Sequence, residues 1–151
     1  MSLEKDIKQA KFRNEHHKGA INLIYTYNWM MERQKAFFDI ENITPQQFNI
    51  LRILRGSFPQ PISTLQIRER MLDKMSDTSR IVDRLVLKGL ADKKTSITDK
   101  RLVDISITEH GKEVLERLDQ KHDKMDAILE NLSEEDATLL NALLDKIRDK
   151  G

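Results

Sequence analysis

The stretch MSDTSRIVDRLVLKGLADKKTSITDKRLVDISI, running from Met75 to Ile107, decides the fold. Its first half carries Thr78, Ile81, Val82 and Leu85 at steps that line one face of a helix. Lys88-Gly89 ends that helix, because glycine readily takes the left-handed conformation needed just past a helix end. The period then changes. Leu90 to Thr95 reads as a short strand and Ser96 to Lys100 as a polar tip. Arg101 to Ile107 alternates, with Val103, Ile105 and Ile107 on one side and Leu102, Asp104 and Ser106 on the other. A helix followed at once by a two-stranded hairpin with a basic tip has the form of a recognition helix and its wing.

Working outward, Ser63 with Gln66 forms a capping box that opens a short helix to about Met71, buried through Leu65, Ile67 and Met71. A turn at Leu72 to Lys74 joins it to Met75–Lys88, so Ser63 to Lys88 reads as a helix-turn-helix. Before it, Thr44, Pro45 and Gln47 start another helix, with Phe48, Leu51 and Leu54 facing inward. That helix stops near Gly56, and Pro59 and Pro61 confine the next stretch to a loop. Asp6 to Phe38 shows one long helical pattern, with Gly19 as a candidate bend. On the other side, Thr108 caps a helix to about Leu132. Its Leu115, Leu118, His122, Met125, Leu129 and Leu132 form a heptad seam. Ser133 begins a last helix, with Leu140, Leu143 and Ile147 facing inward. The expected fold is mainly α with a two-stranded β-wing: a winged helix-turn-helix with N- and C-terminal dimerisation helices. Its parts are residues 1–43, 44–107 and 108–151.

Composition agrees with this division. The chain is 38% apolar and 34% charged, a balance that suits a helical protein sharing part of its core with a second copy of itself. The net charge of +1 conceals an asymmetry. Lys74 to Arg101 holds eight cations against four anions, so this segment is +4 and the remaining 123 residues are −3. A basic centre on an acidic chain suits a nucleic-acid face, although an ordinary solvated surface gives the same count. With no cysteine, disulfides, thiolate metal sites and thiol redox sensing are excluded. No apolar run approaches the length of a membrane span and no signal peptide is visible, so a cytoplasmic protein without membrane contact is expected.

In a helix-turn-helix the second helix lies in the major groove with its N-terminal residues against base edges. Here Lys74, Ser76, Asp77, Thr78, Arg80 and Arg84 are the candidates, with Ser63 on the preceding helix. Arg80 and Arg84 are four residues apart and share a side, and arginine bonds a guanine edge bidentately. The competing reading is a surface helix whose arginines pair with its own aspartates. Lys93, Lys94, Lys100 and Arg101 converge on the hairpin, where a basic tip reaches an adjacent minor groove. Asp99 stands two residues before Arg101 and is placed to orient its guanidinium. The competing reading here is a solvated hairpin with an incidental ion pair.

Arg80-Ile81-Val82-Asp83-Arg84-Leu85, then Lys88-Gly89-Leu90, Asp99-Lys100-Arg101 and Ile107-Thr108-Glu109-His110-Gly111 strongly resemble the MarR (multiple antibiotic resistance) regulators in order and spacing. The resemblance covers about Thr44 to Leu118 in detail. It implies a homodimer built from the first and last helices, DNA contacts by Asp99 and Arg101, and a small-molecule pocket between the dimerisation and DNA-binding parts. By the same analogy the protein is a ligand-responsive repressor recognising a pseudo-palindromic duplex operator, and its effector is a small phenolic or other aromatic acid. Asp73-Lys74-Met75-Ser76-Asp77 replaces the Ser/Arg-rich opening common in the family, which bears on the base sequence read. The alternative is a winged-helix protein-interaction module without DNA binding. Its signature would be acids in place of the wing cations, and the cations are present.

Other candidates are weaker. Tyr25, Trp29, Met30 and Arg33 offer an aromatic-ligand pocket, against a plain core and dimer role. His16 and His17 are adjacent and diverge on a helix, so a zinc site drawn from them and Glu15 is disfavoured, and no metal or cofactor is expected. No phosphate-binding glycine loop, cysteine nucleophile or paired acid motif is present, which argues against an enzyme.

Overall fold

The computed structural model describes residues 1–151. Helices α1 (Leu3–Asp6), α2 (Glu15–Asp39), α3 (Pro45–Ser57), α4 (Thr64–Arg70) and α5 (Thr78–Leu87) lead into strands β1 (Ala91–Thr95) and β2 (Val103–Ile107). Helices α6 (Glu109–Asp119) and α7 (His122–Asp126), a 3₁₀ turn (Ala127–Leu129) and α8 (Glu134–Arg148) complete the chain. No helix is long and apolar enough to cross a membrane.

Helix α3 is the centre of the core and packs against α2, α4, α5, α6 and β2. Its start is over-determined. The Thr44 hydroxyl accepts from Gln47 N at 3.1 Å, Gln47 Oε1 accepts from Thr44 N at 3.1 Å, and Pro45 opens the first turn. Ser63 and Gln66 cap α4 in the same reciprocal way. Ile50, Leu51, Leu54, Ile67, Met71, Val82, Leu85, Ile105, Leu115 and Leu118 are sealed together. Leu65, expected inside, is exposed, because the short α4 turns only Ile67 inward, with Met71 following at its end.

The hairpin pairs Ala91 with Ile107 and Thr95 with Val103, so Ile105 and Ile107 reach the core as the alternation requires. Ile62, in the expected loop, adds a bridge: Ile62 N donates to Ile105 O at 3.0 Å and Ile105 N to Ile62 O at 2.9 Å. Helix α6 starts where the Thr108 hydroxyl donates to Gly89 O at 2.7 Å and accepts from Gly111 N at 3.0 Å. A Cβ at Gly111 would run into the Leu90 carbonyl and the Ile107 side chain, so glycine is required for this close approach.

Three expectations are corrected. The long first helix is two: residues 7–14 interrupt it, and Asn14 caps α2, accepting from His17 N at 2.9 Å; α2 then runs through Gly19 without interruption. The helix expected from Thr108 to Leu132 ends at Asp119. At that break the His122 ring Nδ1 lies 2.9 Å from the Asp119 carbonyl oxygen, which continued helix would have used. The heptad seam is therefore divided, with Leu115 and Leu118 in the core and Leu129 and Leu132 exposed. Finally, α8 contains no buried residue, and its Leu143 and Ile147 face outward within the single chain.

Candidate nucleic-acid interface

Helix α5 begins three residues later than its apolar spacing alone suggests. The Asp77 carboxylate accepts from Arg80 N at 3.2 Å and serves as N-cap. Asp73 closes the preceding turn, its Oδ1 accepting from Met75 N at 2.9 Å and its carbonyl from the Ser76 hydroxyl at 2.6 Å. Lys74 Nζ donates back to the Glu69 carbonyl. The departure from the Ser/Arg-rich opening is thus a self-bonded turn that fixes where the helix begins.

Val82, Leu85 and Thr78 point into the core, and Ser79, Arg80, Asp83 and Arg84 point out. Thr78 was expected among the contact residues, but it is fully buried and its hydroxyl has no partner in the chain. The same periodicity that placed Thr78 beside Val82 and Leu85 explains this. Ser79 takes its place on the exposed first turn. Its position one residue after Thr78 is the signal that identifies it. Ser63 is half-buried with its hydroxyl committed to the α4 cap.

Asp83 pairs with Lys93 of β1 at 2.6 Å, rather than with Arg80 or Arg84. This links α5 to the wing across their exposed faces and leaves both arginines without an ion pair. Lys94 and Lys100 are likewise exposed and unpaired. At the tip the Asp99 carboxylate receives three donors from Arg101: the backbone N at 3.0 Å, and Nε and Nη2 at 3.1 Å each. These bonds hold the Asp99 carboxyl below the usual carboxylate range. The Arg101 side chain nevertheless remains 89% exposed, so the acid aims the guanidinium without covering it. Arg80, Arg84, Lys94, Lys100 and Arg101 thus form a cationic surface shared by one helix and one hairpin.

The four ligand candidates are spread along α2. Tyr25 and Trp29 border a groove of about 420 Å³ with α1, while Trp29 and Arg33 border one of about 470 Å³ with Lys124, Ile128 and Asn131. The Arg33 guanidinium stacks on Trp29 at 3.8 Å. Met30 is half-buried and lines neither groove. A third groove, of about 320 Å³, lies between Tyr27, Met31 and Gln34 of α2 and Pro45, Asn49 and Met71–Asp73 of the central domain. His16 is exposed, and His17 accepts from Arg13 N at 3.2 Å. No group of three or more His, Asp or Glu side chains is arranged to hold a metal ion.

Comparison with known proteins agrees with this geometry. A family model described as MarR family matches residues 41–102, from the loop before α3 to the end of the wing tip. The HTH-type transcriptional regulator MhqR of Bacillus subtilis is 29% identical over 128 residues, covering 84% of this chain and 87% of MhqR. The HTH-type transcriptional regulator PecS of Dickeya dadantii is 30% identical over 112 residues, covering 73% of this chain and 68% of PecS. Among solved structures, a mutant MarR from E. coli complexed with operator DNA shares the fold at a TM-score of 0.80 and 22% identity, over 91% of this chain and 99% of that one. BpsR of Bordetella bronchiseptica, whose DNA binding is regulated by 6-hydroxynicotinic acid, shares it at 0.74 and 18% identity, over 87% of this chain and 99% of that one. A winged helix with an exposed cationic face, a matching MarR family model and sequence relatives that regulate transcription converge on one conclusion: the chain belongs to the MarR family and is a DNA-binding transcription regulator.

Proposed function

We propose that the protein works as a homodimeric, effector-responsive repressor. In this reading each subunit places α5 in a major groove, with Ser79, Arg80 and Arg84 toward base edges, and the hairpin tip in the flanking minor groove. The observation that carries it is the set of four exposed cations on α5 and the hairpin, Arg80, Arg84, Lys94 and Lys100, that no acid of the chain pairs with. Arg101, aimed by Asp99, adds a guanidinium ready for a minor groove. Lys93 has a different part, because its bond to Asp83 holds the wing against the recognition helix. Lys74, Ser76 and Asp77 shape the start of α5 and Ser63 the start of α4; in this reading they flank the phosphate backbone.

Dimerisation is assigned to residues 1–43 and 108–151, whose helices α2 and α8 expose Leu23, Ile24, Tyr27, Leu139, Leu143 and Ile147. Residues 44–107 form the DNA-binding domain, with α6 packed against it. Two-fold symmetry sets half-sites about one helical turn apart, ~10 bp centre to centre. A regulator acting on chromosomal DNA works in the cytoplasm, and its role lies in binding rather than catalysis.

The effector is assigned to the groove between α2 and the central domain, because one of its walls is the turn leading into α5. There Leu72 N donates to Asn49 Oδ1 at 2.8 Å. A ligand seated there contacts the dimerisation helix and the approach to the recognition helix together. It shifts DNA affinity by the difference in its own affinity for the two arrangements. BpsR supports a small aromatic acid as the chemical class. Trp29 and Arg33 offer a second surface suited to the same class.

The test is selection of binding sites from a random duplex pool at near-physiological salt, beside an Arg101→Ala control. The expected result is a pseudo-palindrome that the control fails to enrich. A folded dimer that enriches nothing, before and after refolding to strip any bound effector, would leave only the interaction-module reading.

A further inference from the structure

The hairpin tip departs from the usual pattern of a solvated loop. Ser96 and Asp99 are tied into bonds within the loop, while Thr98 and Lys100 stay exposed. Ser96 is buried, its hydroxyl lies 3.1 Å from Thr98 Oγ1, and Asp99 N lies within 3.4 Å of it. Ser96 N donates to Leu102 O and Leu102 N to Asp99 O, each at 3.0 Å. The Asp99 carboxylate is occupied by Arg101. The apolar residue of the tip, Ile97, points outward and is 97% exposed. A single exposed isoleucine is unremarkable on a protein surface. This one stands at the apex of a self-bonded loop, flanked by exposed Lys94, Lys100 and Arg101. Nothing in the chain covers it, and the cations beside it direct the apex toward a polyanion.

We infer that Ile97 is a specificity-determining residue of the wing: it lies against the floor of the minor groove and selects A·T pairs there. The inference rests on the DNA face proposed above. An A·T pair offers the minor groove only the adenine N3 and thymine O2 acceptors, whereas G·C adds the guanine N2 amino donor. A β-branched hydrocarbon pressed onto that floor displaces the water that would satisfy the amino group and supplies no acceptor in return. A·T tracts also narrow the groove and deepen its negative potential, which draws in the neighbouring Arg101. Apolar side chains at minor-groove contacts are an established means of engaging DNA. Ile97 therefore adds sequence preference outside the base pairs that α5 reads.

The test uses the full-length dimer and the operator recovered by selection. Hydroxyl-radical footprinting locates the pairs beneath the wing. Three duplexes are then compared: the parent, one with those A·T pairs changed to G·C, and one with them changed to inosine·C. The last keeps the major-groove face of G·C but lacks the N2 amino group. The wild type is expected to lose about tenfold on G·C and to regain it on inosine·C. Ile97→Ser, with an unchanged melting curve because the side chain is exposed, is expected to reduce the G·C penalty to about threefold, the remainder being the groove narrowing felt by Arg101. Unaltered discrimination by Ile97→Ser would overturn the inference. If Arg101→Ala still weakened binding in that case, the DNA face would stand and only the role of Ile97 would fall. If Arg101→Ala also bound normally, the DNA face itself would be misassigned.

Discussion

Helices α5 and α8 are both amphipathic, yet they meet opposite fates. In α5, Val82 and Leu85 vanish into the core, packed against α3. In α8, Leu139, Leu143 and Ile147 are at least half exposed and no residue is buried. The division is general: all 18 residues of the main core cluster lie between Phe37 and Leu118. Beyond α2's last turn, helices α1, α2, α7 and α8 add only Leu3 to the buried set. The stripe of α8 has the same chemistry, yet no residue of it is buried within the chain. The central domain completes its fold in one chain, and the terminal helices leave the apolar surface that the proposed dimer would cover.

The sharpest way to probe this difference is to damage each side separately. Leu115→Ala empties a fully buried position between α6 and the rest of the core, and should cost about 2–5 kcal/mol, read as a lower urea midpoint. A loss below about 1 kcal/mol would mean that the central core is not the stable unit described. Leu143→Lys should leave that core intact and weaken self-association by about 2 kcal/mol, the scale of an interface anchor. Sedimentation would then show the 17.7 kDa monomer at concentrations where the parent is a dimer. An unchanged dimer would place the interface elsewhere.

The smallest effect concerns the junction of the two regions. Arg117 of α6 donates to both Glu41 oxygens, at 2.7 and 3.0 Å, and this guanidinium holds the Glu41 carboxyl below the usual carboxylate range. Glu41→Gln should cost about 0.5–1 kcal/mol near neutral pH. Because the folded value is lowered, the contribution is complete above the unfolded carboxylate pKa of about 4.3 and disappears as pH falls through the folded value. Urea midpoints of variant and parent should therefore differ constantly at mildly acidic and neutral pH and converge in stronger acid.

Local signals in the sequence were enough to place most of the central domain. Thr44 with Gln47 and Ser63 with Gln66 announced two helix starts, and the alternation after Arg101 set which residues of β2 turn inward. Of the candidate site, what the sequence conveyed is exposure: Arg80, Arg84, Lys94, Lys100 and Arg101 all stand in solvent, whereas Thr78 is buried. What was hidden depended on competition between local bonds. Asp77 captured the α5 cap from earlier residues, and the His122 ring took the carbonyl of Asp119 where the heptad pattern runs on unbroken. Neither event leaves a trace in apolar periodicity, and no proline or glycine marks the second. Ile97 gives no signal of its own in the sequence, because a tip of mostly polar residues reads as solvated; the burial of Ser96 and the pairing of Asp99 with Arg101 isolate it.

The close approach at Gly111 bears on how a signal can travel. With no side chain there, the first turn of α6 sits directly on the Leu90 carbonyl, just past the end of α5, and Thr108 ties the same spot to Gly89. The recognition helix, wing and α6 are thereby joined like a bracket bolted at its corner, with no slack between reader and arm. The next place where the arm can pivot is the break at Gln120 and Lys121. In the proposed dimer, a change in the distance between the two recognition helices would be made at that break, with the bracket moving as one piece.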